Sequence, residues 1–354
     1  MDPSMPRAGA SLNASPHEGK ETRGTVLITG ANGSLALQFV SHLLARYPAL
    51  TLIGTVRNPS TETDPNTAKL QKILSKHPSA TVSVEKLDLA SLADVRVFCD
   101  SIISRTGKKE LPPLRAIVCN AFTWSLDGGV KYTTDGYEAT FQVSYLAHYV
   151  LVLKLLPCLD RKAGRVVMLG SAAHYPERPN PLSALVAQWP EDEDVAELVK
   201  PRSHPAEENH DRGWQRYGTS KLATVMFINA LNRRLEKACD YRGITATAMD
   251  PGGIVDSRAH NEQRALAKKV FSASRFILPL LKYITSSIRL SSDSAKDLVE
   301  VAVGSSFAGK RGYFQGLQTT KPAEISDNEQ KQEILWEASS RWAGVEDSVL
   351  CTYP

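Results

Sequence analysis

Residues 25–36 read TVLITGANGSLA, and this stretch decides the fold. TVLIT is a short β-branched and apolar run that suits a buried strand. GANG supplies two glycines for a tight turn. LALQFVSHLLARY (35–47) then repeats apolar residues three and four positions apart, the period of an amphipathic helix. A strand, a glycine-rich turn and a helix N-terminus together form an anion site. Backbone N–H groups and the helix dipole point at a phosphate, and the glycines let it approach.

The same rhythm continues outward. TLIGTV (51–56), TVSVEKLDL (81–89), RAIVCN (115–120), GRVVMLGS (164–171) and GITATAMD (243–250) read as strands. Helical patterns lie between them, at TAKLQKILSKH (67–77) and from Tyr137 to Leu159. Short strands alternating with longer helices predict βαβ units and a doubly wound parallel sheet. The strands are apolar almost throughout, as required when helices cover both faces. No repeat or composition break divides the chain. The expected organisation is a loose tail over 1–24, one α/β domain over 25–320, and a C-terminal helix and tail over 321–354. Two inserts interrupt the domain, at about 175–213 and about 257–290.

The 354 residues are 42% hydrophobic and 23% charged, which excludes a mainly disordered or collagen-like chain. A net charge of +4 with no concentrated basic face argues against nucleic-acid binding. Cys99, Cys119, Cys158, Cys239 and Cys351 contain no CxxC pair and read as reduced thiols of a cytoplasmic protein. No metal site is expected from their spacing or from that of the histidines.

TGANGSLA (29–36) resembles the TGxxxGxG segment of the short-chain dehydrogenase/reductase family. Further landmarks of that family follow in order: Asp88 in LDLAS, Asn120 in CNAF, Ser171 in LGSAAH, YGTSK from Tyr217 to Lys221, and Pro251-Gly252. The match covers about residues 25–318, and the wording of RYGTSK and MDPGGIVDS is most similar to a fungal branch. The resemblance implies a Rossmann-type fold. It also implies a nicotinamide cofactor held by Gly30, Asn32, Ser34, Leu35, Arg57, Asp88, Asn120, Tyr217, Lys221 and Val255.

The second strand ends TVRN, with Arg57 where NAD-specific sites place an acid for the ribose 2′-hydroxyl. A guanidinium there can pair with a 2′-phosphate, so NADP(H) is the expected cofactor. The alternative is a solvated surface arginine. Asp88 reads either as an adenine contact or as part of the cap of the helix that begins near Ser91.

Tyr217 and Lys221 share one helical face. By resemblance, Tyr217 is the acid/base, Lys221 lowers its pKa and holds the nicotinamide ribose, and Ser171 polarises a substrate carbonyl. The expected reaction interconverts a ketone and a secondary alcohol on a bulky apolar substrate, in secondary-metabolite biosynthesis. Departures from the family pattern motivate a rival, a degenerate member that binds NADPH or a partner without redox turnover. Ser34 and Ala36 replace two glycines, Phe122 replaces a third, and Ser144 stands where an asparagine usually anchors a relay water.

The insert before Tyr217 carries Trp189, the acidic PEDEDVAE run, His204 and His210, and is expected to cover the site. The later insert contains FILPLL (276–281) and is expected to form the other cleft wall. Its apolar run is too short to cross a membrane. Lys268, Arg275, Lys282 and Arg289 recur every seven residues, which reads either as peripheral membrane contact or, better, as a solvated lid edge. The oligomeric state is left open.

Overall fold

The computed structural model describes residues 23–259 and 288–345. The apolar runs become β1 (Thr25–Thr29), β2 (Thr51–Val56), β3 (Val82–Lys86), β4 (Leu114–Cys119), β5 (Arg165–Leu169) and β6 (Thr245–Asp250). A two-stranded ribbon follows, β7 (Gly253–Ile254) with β8 (Ile288–Arg289), then β9 (Gly312–Gln315) and β10 (Gln318–Thr319). The main sheet has the order β10-β9-β6-β5-β4-β1-β2-β3. All its pairings are parallel except the hairpin of β9 with β10. Strand order reverses between β1 and β4, which opens a crevice at their carboxyl ends.

The helices are α1 (Ser34–Arg46), α2 (Pro65–Leu74), α3 (Leu92–Gly107), α4 (Ala139–Cys158), α5 (Asn209–Lys237), α6 (Ser291–Val303) and α7 (Glu329–Ala343). Side chains alternate across the sheet. Val26, Ile28, Ala116, Val118, Val167 and Leu169 join the layer of α1 and α6. Leu27, Ile117, Cys119, Val166 and Met168 join α3, α4, α5 and α7 on the opposite face. Each strand is therefore apolar on both sides because both sides meet helices.

Helix ends follow local chemistry. Asp64 accepts from the amides of Asn66 and Thr67 ahead of Pro65, and Ser91 accepts from Asp94, so α2 and α3 each start on a capped turn. Helix α4 is long and apolar enough to cross a membrane by length and composition, but 83% of that window is buried inside the fold. Leu335 and Trp336 of α7 are buried, while Ile334 and Trp342 pack partly buried beside them.

Strands β9 and β10 were not among those expected from the sequence. The first insert packs into the fold. It contains the one-turn helix Ala196–Val199 and buries Trp189, Val195, Leu198 and Val199 against the core. Most of the second insert, with Lys268, Arg275, Lys282 and FILPLL, lies outside the described residues. Cys99, Cys119 and Cys158 are buried free thiols and Cys239 is an exposed one.

Candidate active site

The glycine turn closes the end of β1. Gly30 has φ +64°, and a Cβ there would meet the Ala121 Cβ at 3.0 Å, so both backbone sign and space require glycine. Gly33 is the N-cap of α1. No side chain caps that end and its first turn holds no acid, which leaves the positive helix terminus facing the crevice uncovered. These features fit a bound phosphate.

Asn120 acts beneath this turn. Its Nδ2 donates to the carbonyls of Thr29 at 2.9 Å and Gly30 at 3.3 Å, tying β4 to β1. Leu35 is buried, with its side chain in the layer of α1 and α6. Asn32 is engaged elsewhere: its Nδ2 donates to Asp64 at 3.0 Å and Thr67 at 3.1 Å. Asp88 is half-buried and accepts from the Ala90 amide at 2.9 Å, so it builds the turn before α3, whose cap is Ser91. Val255 is buried, and its amide donates to the Arg289 carbonyl at 3.1 Å in the β7–β8 ribbon.

Arg57 is exposed at the end of β2. Sequence reading missed its neighbour. Arg258 donates its amide to the Ser34 hydroxyl at 3.1 Å, which places it beside the start of α1. Its guanidinium pKa is lowered by burial, raised by Asp64 and lowered again by Arg57. Two cations of the chain thus feel each other beside the glycine turn, the arrangement a doubly charged anion would relieve.

Tyr217 and Lys221 sit one turn apart on α5, both buried. Ser171 follows β5, and its hydroxyl accepts from the Ala173 amide at 3.2 Å. Burial pushes the Tyr217 phenol up to about 12, against hydrogen bonding to Ser171, with the charge of Asp250 adding to the rise. The sequence reading has Lys221 drawing this pKa down. In the structure burial prevails, and the Lys221 ammonium is turned to the Leu169 carbonyl, to which it donates at 2.7 Å. Burial lowers Lys221 to about 8, opposed by Cys119 and Asp250.

Aromatic rings wall the phenol. Trp124, Phe122 and Trp214 have centroids 5.1, 5.7 and 5.8 Å from that of Tyr217. Phe122 is 39% exposed and its ring also lies 5.7 Å from the Lys221 Nζ. Phe122 therefore stands partly exposed beside the phenol. Ser144 lies in a π-helical turn of α4, a distortion frequent at functional sites. Its hydroxyl donates to the Thr123 carbonyl at 3.4 Å, so it braces the aromatic loop.

Two buried histidines escaped the sequence reading. The Thr29 hydroxyl accepts from the amides of Asn120 and Ala121, both at 3.0 Å, so its own proton goes to His148 Nε2 at 2.9 Å. His174 receives the Ala323 amide on Nε2 at 3.0 Å, so its Nδ1–H donates to the Ser171 carbonyl at 2.8 Å. Burial holds both neutral, His148 at about 3 and His174 at about 4. Neither histidine has a motif of its own. Each is fixed by a partner distant in sequence.

The arrangement offers an anion cradle, a proton-bearing phenol, a hydroxyl beside it and a buried ammonium under an apolar wall. The KR domain matches residues 24–178, and the AcuH dehydrogenase domain matches residues 260–350. A short-chain dehydrogenase of Talaromyces variabilis, iccH, is 30% identical, over 93% of this chain and 98% of its own length. An NADPH-bound carbonyl reductase from chicken fatty liver has the same fold, with TM-score 0.55, 17% identity, and coverage of 84% of this chain and 98% of its own. An angucycline C-6 ketoreductase, LanV, with bound NADP has TM-score 0.57 at 15% identity, covering 84% of this chain and 98% of its own. Sheet order, motif order and this kinship agree: the chain is an oxidoreductase of the short-chain dehydrogenase/reductase family.

Proposed function

We propose that the chain is an NADP(H)-dependent reductase that converts a bulky apolar ketone to a secondary alcohol, in the manner of secondary-metabolite chemistry. The observation that carries this reading is the meeting of Ser171, Tyr217 and Lys221 at the carboxyl end of the sheet, under the rings of Phe122, Trp124 and Trp214. The glycine turn at Gly30 and the cations Arg57 and Arg258 would hold the dinucleotide and its 2′-phosphate. The NADPH-bound relative supports that choice.

When bound, NADPH supplies the hydride. The chain's own residues manage the oxygen. A phenol at about 12 is protonated at neutral pH, the state needed to give a proton to the carbonyl oxygen during reduction. Ser171 donates to the same oxygen as charge grows on it. Lys221 carries positive charge one helical turn away, and its field favours the phenolate that proton transfer leaves. Trp124 and Trp214 shield the phenol from water, and the partly exposed Phe122 offers an apolar face for the substrate. The free thiols among the described residues suit a cytoplasmic setting.

The test is a fluorescence titration with NADPH and NADH, followed by a panel of bulky ketones. NADPH should bind more tightly and be oxidised in the presence of a ketone. Tyr217→Phe should lose turnover by a factor of about 100 or more while keeping its NADPH affinity. Full turnover in that variant would refute the mechanism, and failure to bind either nucleotide would refute the reductase.

A further inference from the structure

The helix that carries Tyr217 and Lys221 also buries an ion pair that the proton path does not use. Arg216 precedes Tyr217 in the chain, but successive residues of a helix point about 100° apart, so its side chain leaves α5 from a different face. Its Nε lies 3.4 Å from Oε1 of Glu138, and the two side chains are 11% and 1% exposed. Taking both charges out of water is costly, and is tolerated where further hydrogen bonds complete the pair. Glu138 precedes α4, and its Oε2 accepts from the Phe141 amide at 2.7 Å. The guanidinium is a planar fork of donors. Its Nη2 donates to the carbonyls of Ser125 at 3.2 Å and Gly129 at 3.4 Å, both in the loop that follows β4 and carries Trp124. Its Nη1 donates to His204 Nε2 at 3.2 Å, in the first insert. The Glu138 amide reaches the same insert and donates to the Val199 carbonyl at 2.7 Å.

Other contacts press the loop to the same stretch of α5. Asn209 Nδ2 donates to the Asp127 carbonyl at 3.3 Å. A Cβ on Gly213 would stand 2.8 Å from the Leu126 Cα and closer still to the Ser125 carbonyl oxygen, so backbone meets backbone there. Asn209, Gly213 and Arg216 recur at the spacing of one helical face, and the loop sits on that face. Trp214, Tyr217 and Lys221 share the neighbouring face. Trp124, at the head of the loop, bridges the two, with its ring centroid 5.2 Å from that of Trp214 and 5.1 Å from that of Tyr217.

We propose that Arg216 is a positioning residue that sets substrate choice: its guanidinium locks the loop bearing Trp124 and the first insert onto α5, and so fixes how far the aromatic wall stands from the Tyr217 phenol. The consequence for substrates rests on the reductase reading. The lock is a property of the chain alone and can be observed without cofactor. Lysine in this place keeps a charge facing Glu138 but offers one nitrogen where the fork offers three. A bulky apolar ketone relies on the wall along its length, whereas a small one touches little beyond the reacting carbonyl.

The experiment is fluorine NMR of protein carrying fluorotryptophan at its five tryptophans. The signals of Trp124 and Trp336 are identified by their loss in Trp124→Phe and Trp336→Phe. In Arg216→Lys the Trp124 signal should move and broaden, while that of Trp336, stacked on Phe227 at 5.5 Å, stays in place. With NADPH present, kcat/KM for a bulky ketone should fall about tenfold in Arg216→Lys, mainly through KM, while that for a small ketone changes by less than about twofold. Glu138→Gln keeps the shape of the acid and removes its charge. It should move Trp124 the same way by less, which serves if Arg216→Lys does not fold. An unmoved Trp124 signal overturns the proposal, whatever the activity. Equal losses on the two ketones overturn the role in substrate choice. A displaced Trp124 in a protein that binds no nucleotide upholds the lock and refutes only the reductase reading.

Discussion

Lowering the pH from about 7 to about 5 should destabilise this protein through His148 and His174. Both are neutral in the fold, with pKa values of about 3 and about 4 set chiefly by burial. In the unfolded chain each returns to its ordinary value of about 6.5. A depressed histidine pKa means that the unfolded chain takes up the proton first. Its contribution is therefore intact above about pH 6.5 and is lost as the pH falls toward the folded value. Each group loses at most ~1.4 kcal/mol per pH unit in that window, or ~2 kcal/mol by pH 5. Together they remove ~4 kcal/mol from a typical stability of ~5–15 kcal/mol. Asp250 and Glu138 act in the opposite direction, because burial raises their carboxyl pKa values and the fold takes up their protons first. Urea unfolding at several pH values isolates the histidines when the parent is compared with His174→Asn and His148→Asn. Each variant should be less stable at pH 7, since it breaks a buried bond, but should lose stability more slowly with acid. Parallel curves for parent and variants would refute the reasoning.

Arg57→Asp should weaken NADPH binding by roughly tenfold or more and spare NADH, since a charge-assisted hydrogen bond contributes ~1.5–3 kcal/mol. Paired dissociation constants by fluorescence decide this, and an unaltered preference would remove Arg57 from the nucleotide site. Gly30→Val should reduce both stability and nucleotide affinity. The left-handed backbone at φ +64° costs ~1–2 kcal/mol for a side-chain residue, and the branches would collide with Ala121. A variant that melts like the parent and still binds NADPH would contradict that account.

The first six strands were legible because each is a run of apolar or β-branched residues bounded by turn-forming ones. β9 and β10 were hidden for a physical reason. GYFQ and QT are short, Gly316 between them has φ +56°, and only the pairing of Tyr313 and Phe314 with β6 makes this a strand. The glycine turn and the order Ser171, Tyr217, Lys221 could be read because those residues stand at fixed places, at strand ends and on one helix face. The places of Arg258, His148 and His174 could not, since each depends on a partner remote in sequence. The burial that governs Tyr217 is equally tertiary. Spacing placed Lys221 beside the phenol, but the packed rings of Trp124 and Trp214 set the phenol's protonation. Asp88 illustrates the reverse, because its turn chemistry gives it a local partner in Ala90, whereas Asn32 is drawn to Asp64 and Thr67, 32 and 35 positions away.

The contacts of His174 with Ala323 and of Tyr175 with the Lys321 carbonyl join residues 149 and 146 positions apart. During synthesis at ~5–20 residues per second, the turn that presents Ser171 emerges from the ribosome well before the segment that secures it. The sheet from β1 to β6 can pair while the chain is still growing, but His174 and Tyr175 wait for residues 321–323. Maturation of the turn that presents Ser171 is thus a late event that follows assembly of the scaffold. A nascent chain halted near residue 310 would carry Ser171, Tyr217 and Lys221 together with their helices, and would still lack the clasp that sets the serine in place.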